Sequence, residues 1–177
     1  FTDDGVSRGF DVYKRDVNPT SLSVTNYKTS TLGGGIRFGI PLNEKDTVNL
    51  GLALEKIDTT VDANSAQRYI DFVNLFGNSV KTARADLGWA RDTRDSLLYP
   101  TSGSLQRLYG EVGLPGLDLE YYKASYQHQY LHTFAKSYTL LLNGEVGYAD
   151  GYGNKPLPFF KNFYAGGIGS VRGYRTS

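Results

Sequence analysis

Leu32-Gly33-Gly34-Gly35-Ile36-Arg37-Phe38-Gly39-Ile40, followed after a turn by Val48-Asn49-Leu50-Gly51-Leu52-Ala53-Leu54-Glu55, decides the fold class. Apolar side chains recur at every second position, at Leu32, Ile36, Phe38 and Ile40 and then at Val48, Leu50, Leu52 and Leu54. Gly, Arg, Asn and Glu stand between them. A period of two belongs to a pleated strand, whose successive side chains point to opposite faces; an amphipathic helix would repeat every 3.6 residues. The run from Pro41 to Asp46 carries turn chemistry, so the two stretches read as a hairpin.

The same alternation extends in both directions. Phe10 and Val12 oppose Asp11, Tyr13 and Arg15, and Ala83, Ala85, Leu87 and Trp89 oppose Arg84, Asp86 and Gly88. Leu108, Gly110 and Val112 oppose Arg107, Tyr109 and Glu111. Tyr122, Ala124, Tyr126 and Tyr130 oppose Lys123, Ser125, Gln127 and Gln129, and Leu140, Leu142, Val146 and Tyr148 oppose Asn143 and Glu145. This makes about seven meandering strands over residues 6–150. Tyr69, Phe72, Val73 and Phe76 fall at helical spacing inside Ala66–Phe76, which predicts a short helix there, with an irregular loop as the alternative. From Gly151 to Ser177 no strand pattern holds, and a long loop is expected.

Composition agrees with an all-β chain: 177 residues carry 21 Gly, 14 Tyr and 9 Phe but no Cys and no Met. No apolar run approaches the roughly 18 residues of a membrane-spanning helix. A transmembrane strand needs only about 9 to 11 residues of alternating polarity, so a mean hydropathy of -0.38 is no objection to a membrane barrel. A formal charge of +1 gives no field that would favour nucleic acid. Absent cysteine excludes a disulfide scaffold and thiol chemistry, and fits a periplasmic or surface location. The chain opens at Phe1 without a signal segment and closes at Ser177 after a Gly-rich stretch, so it reads as part of a longer polypeptide.

Alternation does not by itself separate a soluble sandwich from a membrane barrel. Long strands, frequent Gly on the polar face and aromatic residues near strand ends, at Trp89, Tyr138 and Tyr148, favour the barrel. The polar face then lines a lumen, with Asp11, Arg15, Arg37, Glu55, Arg84, Asp86, Arg107, Glu111, Lys123 and Glu145 as lumen-facing charges able to pair across strands.

Phe163-Tyr164-Ala165-Gly166-Gly167-Ile168-Gly169-Ser170-Val171-Arg172-Gly173-Tyr174 is the most informative motif. Gly166, Gly167 and Gly169 permit close backbone approach, and Arg172 offers one long, always-charged anchor. The spacing fits neither a phosphate-binding loop nor a dinucleotide fingerprint. A flexible Gly-rich surface loop remains the alternative. Ser125 and His128, an odd number of residues apart, fall on opposite strand faces and make no catalytic pair. His128 and His132 share a face but stand over ~12 Å apart along a strand, which is no metal site. The expectation is a protein without catalysis, metal or cofactor.

This motif resembles the loop signature of the BamA family of outer-membrane assembly factors, in which Gly-Gly precedes Val-Arg-Gly-Phe/Tyr. Lys155-Pro156-Leu157-Pro158-Phe159-Phe160-Lys161-Asn162 resembles the run leading into that loop. Further similarity lies in Asp3-Asp4-Gly5-Val6-Ser7, Gly39-Ile40-Pro41-Leu42-Asn43-Glu44, Tyr99-Pro100-Thr101-Ser102-Gly103-Ser104, Leu114-Pro115-Gly116 and Glu120-Tyr121-Tyr122-Lys123, so it covers nearly the whole chain. The resemblance implies a partial antiparallel transmembrane β-barrel over 1–177, the middle of about sixteen strands. It implies that 151–177 is the sixth extracellular loop and that Arg172, flanked by Val171, Gly173 and Tyr174, reaches the inner wall. Loops 17–26, 59–79 and 114–117 would share its side, and 3–5, 41–46, 93–102 and 133–137 would be periplasmic.

The implied function is the folding and insertion of β-barrel proteins into the outer membrane of Gram-negative bacteria. The implied partners are unfolded outer-membrane protein clients, outer-membrane lipid, and assembly-machinery lipoproteins bound through periplasmic domains outside this stretch. Two-partner secretion or autotransporter assembly, as in related families, and a passive outer-membrane pore are the alternatives.

Overall fold

The computed structural model describes residues 5–18, 27–62, 64–135 and 138–163. The Gly-rich positions Gly166, Gly167 and Gly169 and the motif Val171, Arg172, Gly173 and Tyr174 lie outside the described residues. Seven strands form one sheet in sequential order: β1 Ser7–Val17, β2 Tyr27–Pro41, β3 Asp46–Val61, β4 Ser79–Asp92, β5 Gly103–Gly113, β6 Tyr121–Ala135 and β7 Tyr138–Gly151. Every neighbouring pair is antiparallel. This is the all-β meander expected from the period of two, and no helix among the described residues is long and apolar enough to cross a membrane.

Register turns the alternation into two continuous faces. Phe10, Ile36, Leu52, Ala85, Val112 and Tyr122 stand opposite one another from β1 to β6. Phe10 is 85% exposed and Val12 89%, with Leu32, Leu54, Leu87, Leu142 and Val146 exposed on the same face. So wide an uncovered apolar surface does not belong in water. On the other face a polar row runs through Arg37, Gly51, Asp86, Glu111 and Lys123.

The strands run from 11 to 16 residues, from the top of the roughly 9 to 11 that a bilayer core requires to well beyond it, and the surplus of the longer ones changes the pattern at one end. There the polar-face positions turn apolar, at Tyr27, Ile57, Val80 and Tyr121, each at most 7% exposed. A helix, α1 Gln67–Phe76, lies over them. At ten residues it is too short to persist alone in water. Its order comes from burying Tyr69 and Phe72, and from Gly77 at φ 84°, which ends it with an N–H to the Val73 carbonyl at 2.8 Å.

Residues 152–163, after β7, are more ordered than their lack of period suggested. They fold back to the cap through a single 3-10 turn at Phe159–Lys161. Phe159 is its keystone: its ring centroid lies 4.8 Å from Tyr27, 4.6 Å from Tyr69 and 5.2 Å from Phe72. Apolar contact with the cap replaces the sheet periodicity as the ordering force, which is why period alone did not reveal it.

A loop anchor on the polar face

Glu111 is the centre of the polar face. It lies on β5 with only 6% of its side chain exposed, and a buried carboxylate is tolerated only when paired and hydrogen-bonded. Four side chains meet it. Tyr109 donates its hydroxyl to Oε2 at 2.7 Å and Tyr121 donates to Oε1 at 2.5 Å. Arg84 of β4 reaches Oε2 at 3.3 Å, and Lys161, from the 3-10 turn after β7, donates to Oε1 at 2.5 Å. Arg84 also stands 3.5 Å from Glu55 and 3.8 Å from Asp86, so a single guanidinium joins β3, β4 and β5. Tyr13 of β1 donates to Glu55, and with Tyr121 of β6 the network spans five strands.

The segment 152–163 is fastened to this wall at successive points. Tyr152 donates its hydroxyl to the Gly113 carbonyl at 2.6 Å. Lys155 binds Glu120 at 2.8 Å and the Leu117 carbonyl at 2.9 Å. Lys123 donates to the Lys161 carbonyl at 3.0 Å, and its ammonium lies 4.1 Å from the centre of the Phe163 ring. The Phe163 ring occupies the space that a side chain at Gly147 would fill, and the Tyr121 ring does the same at Gly113. Glycine on the polar face is therefore a seat for rings as well as an element of the alternation.

The charges singled out from sequence divide into two groups. Glu55, Arg84, Asp86, Glu111 and Lys123 belong to the anchor, and Arg37 pairs with Asp11 at 2.6 Å beside it. Arg107 and Glu145 occupy the same face but stand apart and exposed, each opposite Gln127. Arg15 is also exposed, opposite Thr31. Ser125 pairs with Tyr109 and Gly147, whereas His128 sits on the apolar face opposite Gln106 and Gly144.

Sequence reasoning missed Lys161, Tyr13, Tyr109 and Tyr121 as members of the site. Lys161 lies fifty positions from Glu111 in a segment without period. One signal was present: Leu50, Leu52 and Leu54 share one parity and Ile57 takes the other, which marks where the polar face becomes apolar and a cap must sit.

Among known proteins, the chain matches the Omp85 superfamily domain over residues 1–177. It is 42% identical over 187 residues to the outer membrane protein assembly factor BamA of Neisseria meningitidis serogroup B, covering 99% of this chain and 24% of that protein. To the outer membrane protein assembly factor BamA of Nitratidesulfovibrio vulgaris it is 28% identical over 178 residues, covering 99% of this chain and 22% of that protein. The chain thus spans about a quarter of the length of these curated relatives. The crystal structure of BamA from Haemophilus ducreyi lacking POTRA domains 1–3 superposes with a TM-score of 0.87 at 26% identity, covering 98% of this chain and 35% of that one. The exposed apolar face is accordingly the lipid-facing wall of an outer-membrane β-barrel and the polar face its lumenal side. On the family match across its whole length, the chain belongs to the Omp85 superfamily.

Proposed function

We propose that the full-length protein carrying this chain is a non-enzymatic assembly factor that folds and inserts β-barrel proteins into the outer membrane. Its clients in this reading are unfolded outer-membrane proteins, and accessory lipoproteins act with it from the periplasmic side. The 42% identity over the whole chain to a protein named as an assembly factor supports this. The observation that carries it in this molecule is the pinned segment 152–163, which immediately precedes the Gly-rich motif in sequence: Lys161 on Glu111 and Phe163 on Gly147 hold it against the lumenal wall. A passive pore fits less well, because α1 and Phe159 cover one end of the polar face with a packed apolar cap.

In the same reading Arg172, nine residues beyond Phe163, is a further contact to the inner wall. The functional test is depletion of the full-length protein in its own cells. Loss of folded outer-membrane barrels across many clients is the expected result. Loss confined to one secreted adhesin, with barrel levels intact, would assign the chain to a secretion relative instead.

A further inference from the structure

Towards the α1 end, the lipid-facing wall changes from aliphatic to basic. Lys14, Leu32, Lys56 and Lys81 stand directly opposite one another across β1 to β4, one level beyond Val12, Gly34, Leu54 and Ala83. Asp16, Ser30, Asp58 and Ser79 form the next level out. From the middle of the wall outward, the order is therefore apolar, cationic, then acidic and hydroxylic. A lipid leaflet presents the same sequence of environments: acyl chains, then phosphates, then water.

Lys56 and Lys81 are directly cross-strand partners, an arrangement of like charges that opposes sheet pairing unless an anion lies between them. Both are exposed, as is Lys14. Neighbouring carboxylates do not remove this need. Asp58 reaches Lys56 at 3.3 Å with both side chains about half exposed, an ion pair of little strength in water. Asp118 accepts from the Lys81 backbone N–H at 2.7 Å, and among the described residues no ion pair to the Lys81 ammonium is found.

At Gly34, which contributes no side chain, a groove of about 520 Å³ is lined by Val12, Leu32, Leu54 and Leu117 together with Lys56 and Lys81, and by Glu55 and Thr82 from the opposite parity of their strands. We propose that this groove is a binding site for a phosphorylated membrane lipid, with a phosphate held between Lys56 and Lys81 and an acyl chain laid over Gly34. Charge complementarity and the apolar floor select this occupant together. A soluble anion would leave the groove empty, and an uncharged lipid would leave the lysines facing each other.

The test uses the full-length protein in phosphatidylcholine nanodiscs containing bisphosphorylated lipid A, with retained lipid counted by native mass spectrometry. K56Q/K81Q should retain roughly tenfold less lipid A than the unaltered protein. G34L should fill the groove without altering charge and reduce retention as well. K45Q, in the turn at the opposite end of the sheet, should retain lipid A normally. If G34L does not fold, K56Q/K81Q still decides the matter, since both side chains are exposed. Equal retention by K56Q/K81Q and the unaltered protein, or equal retention of lipid A stripped of its phosphates, would overturn the proposal.

Discussion

Lys161 donates to Glu111 at 2.5 Å, joining the segment after the last described strand to the centre of the lumenal wall. Both side chains are largely withdrawn from water, at 14% and 6% exposed. Removing one partner strands the other, at a cost of about 3 kcal/mol where the site is dry and less where the lumen is wet. Lys161→Ala should therefore lower the temperature at which the full-length barrel loses its heat-resistant electrophoretic form. Glu111→Gln should lower it at least as much, because it takes the shared carboxylate from Lys161 and Arg84 and puts an amide N–H donor where a Tyr109 or Tyr121 hydroxyl donates. An unchanged transition in Lys161→Ala would remove the pair from the list of stabilising contacts.

The cap should fail as a unit when its keystone goes. Phe159 touches Tyr27, Tyr69 and Phe72, and truncating a buried Phe costs about 3–5 kcal/mol. Phe159→Ala should raise amide exchange throughout α1 while β5 and β6 stay protected; Phe159→Leu should do so far less. Exchange confined to residues 155–163 would show that α1 holds its place without the loop.

A side chain at Gly147 would collide with the Phe163 ring. Gly147→Val should expose the segment after Lys155 to added protease, and Phe163→Ala in the same protein should not increase cleavage further. Additive cleavage would mean that the two positions act separately.

The turn between β4 and β5 carries a pH dependence that can be read from its hydrogen bonds. The Thr101 hydroxyl, the Thr101 N–H at 2.9 Å and the Ser102 N–H at 3.1 Å all donate to Asp95, and they hold its carboxyl well below the usual range. A carboxylate with a depressed folded pKa adds stability above its unfolded value, about 4, and loses it as pH falls through the folded value. The urea midpoint should therefore drop between pH 5 and pH 2 by more in the unaltered protein than in Asp95→Asn. Identical drops in both proteins would assign the acid sensitivity to other groups.

In the described sheet β1 pairs only with β2 and β7 only with β6, so both edges carry open backbone donors and acceptors. Unpaired groups in hydrocarbon cost several kcal/mol each. The 177-residue chain by itself should therefore oligomerise or aggregate in bilayers. Its recovery there as a heat-modifiable monomer would contradict the arrangement of edges.

How far the sequence foretold this depends on where a residue's partner lies. Leu50, Leu52 and Leu54 announce β3 because each neighbour in sequence is also a neighbour in the pleat, and the same local alternation placed Arg37, Asp86, Glu111 and Lys123 on the polar face of their own strands. The helix at Gln67–Phe76 was legible for the same reason, through Tyr69, Phe72, Val73 and Phe76. Lys161 and Phe163 were not, since their places are set by Glu111 and Gly147 on other strands. Lys56 and Lys81 were passed over because only the register shows them to be opposite each other.

The most direct measurement is the folding of a client barrel in liposomes that contain the full-length protein. The fraction of an unfolded eight-stranded outer-membrane barrel that becomes heat-modifiable is followed over time, with empty liposomes, the unaltered protein, Lys161→Ala and Arg172→Ala compared. The unaltered protein should accelerate folding at least tenfold over empty liposomes, and both variants should lose most of that acceleration. No acceleration by the unaltered protein would contradict the assembly function, and full acceleration by both variants would contradict the role of the pinned loop in it.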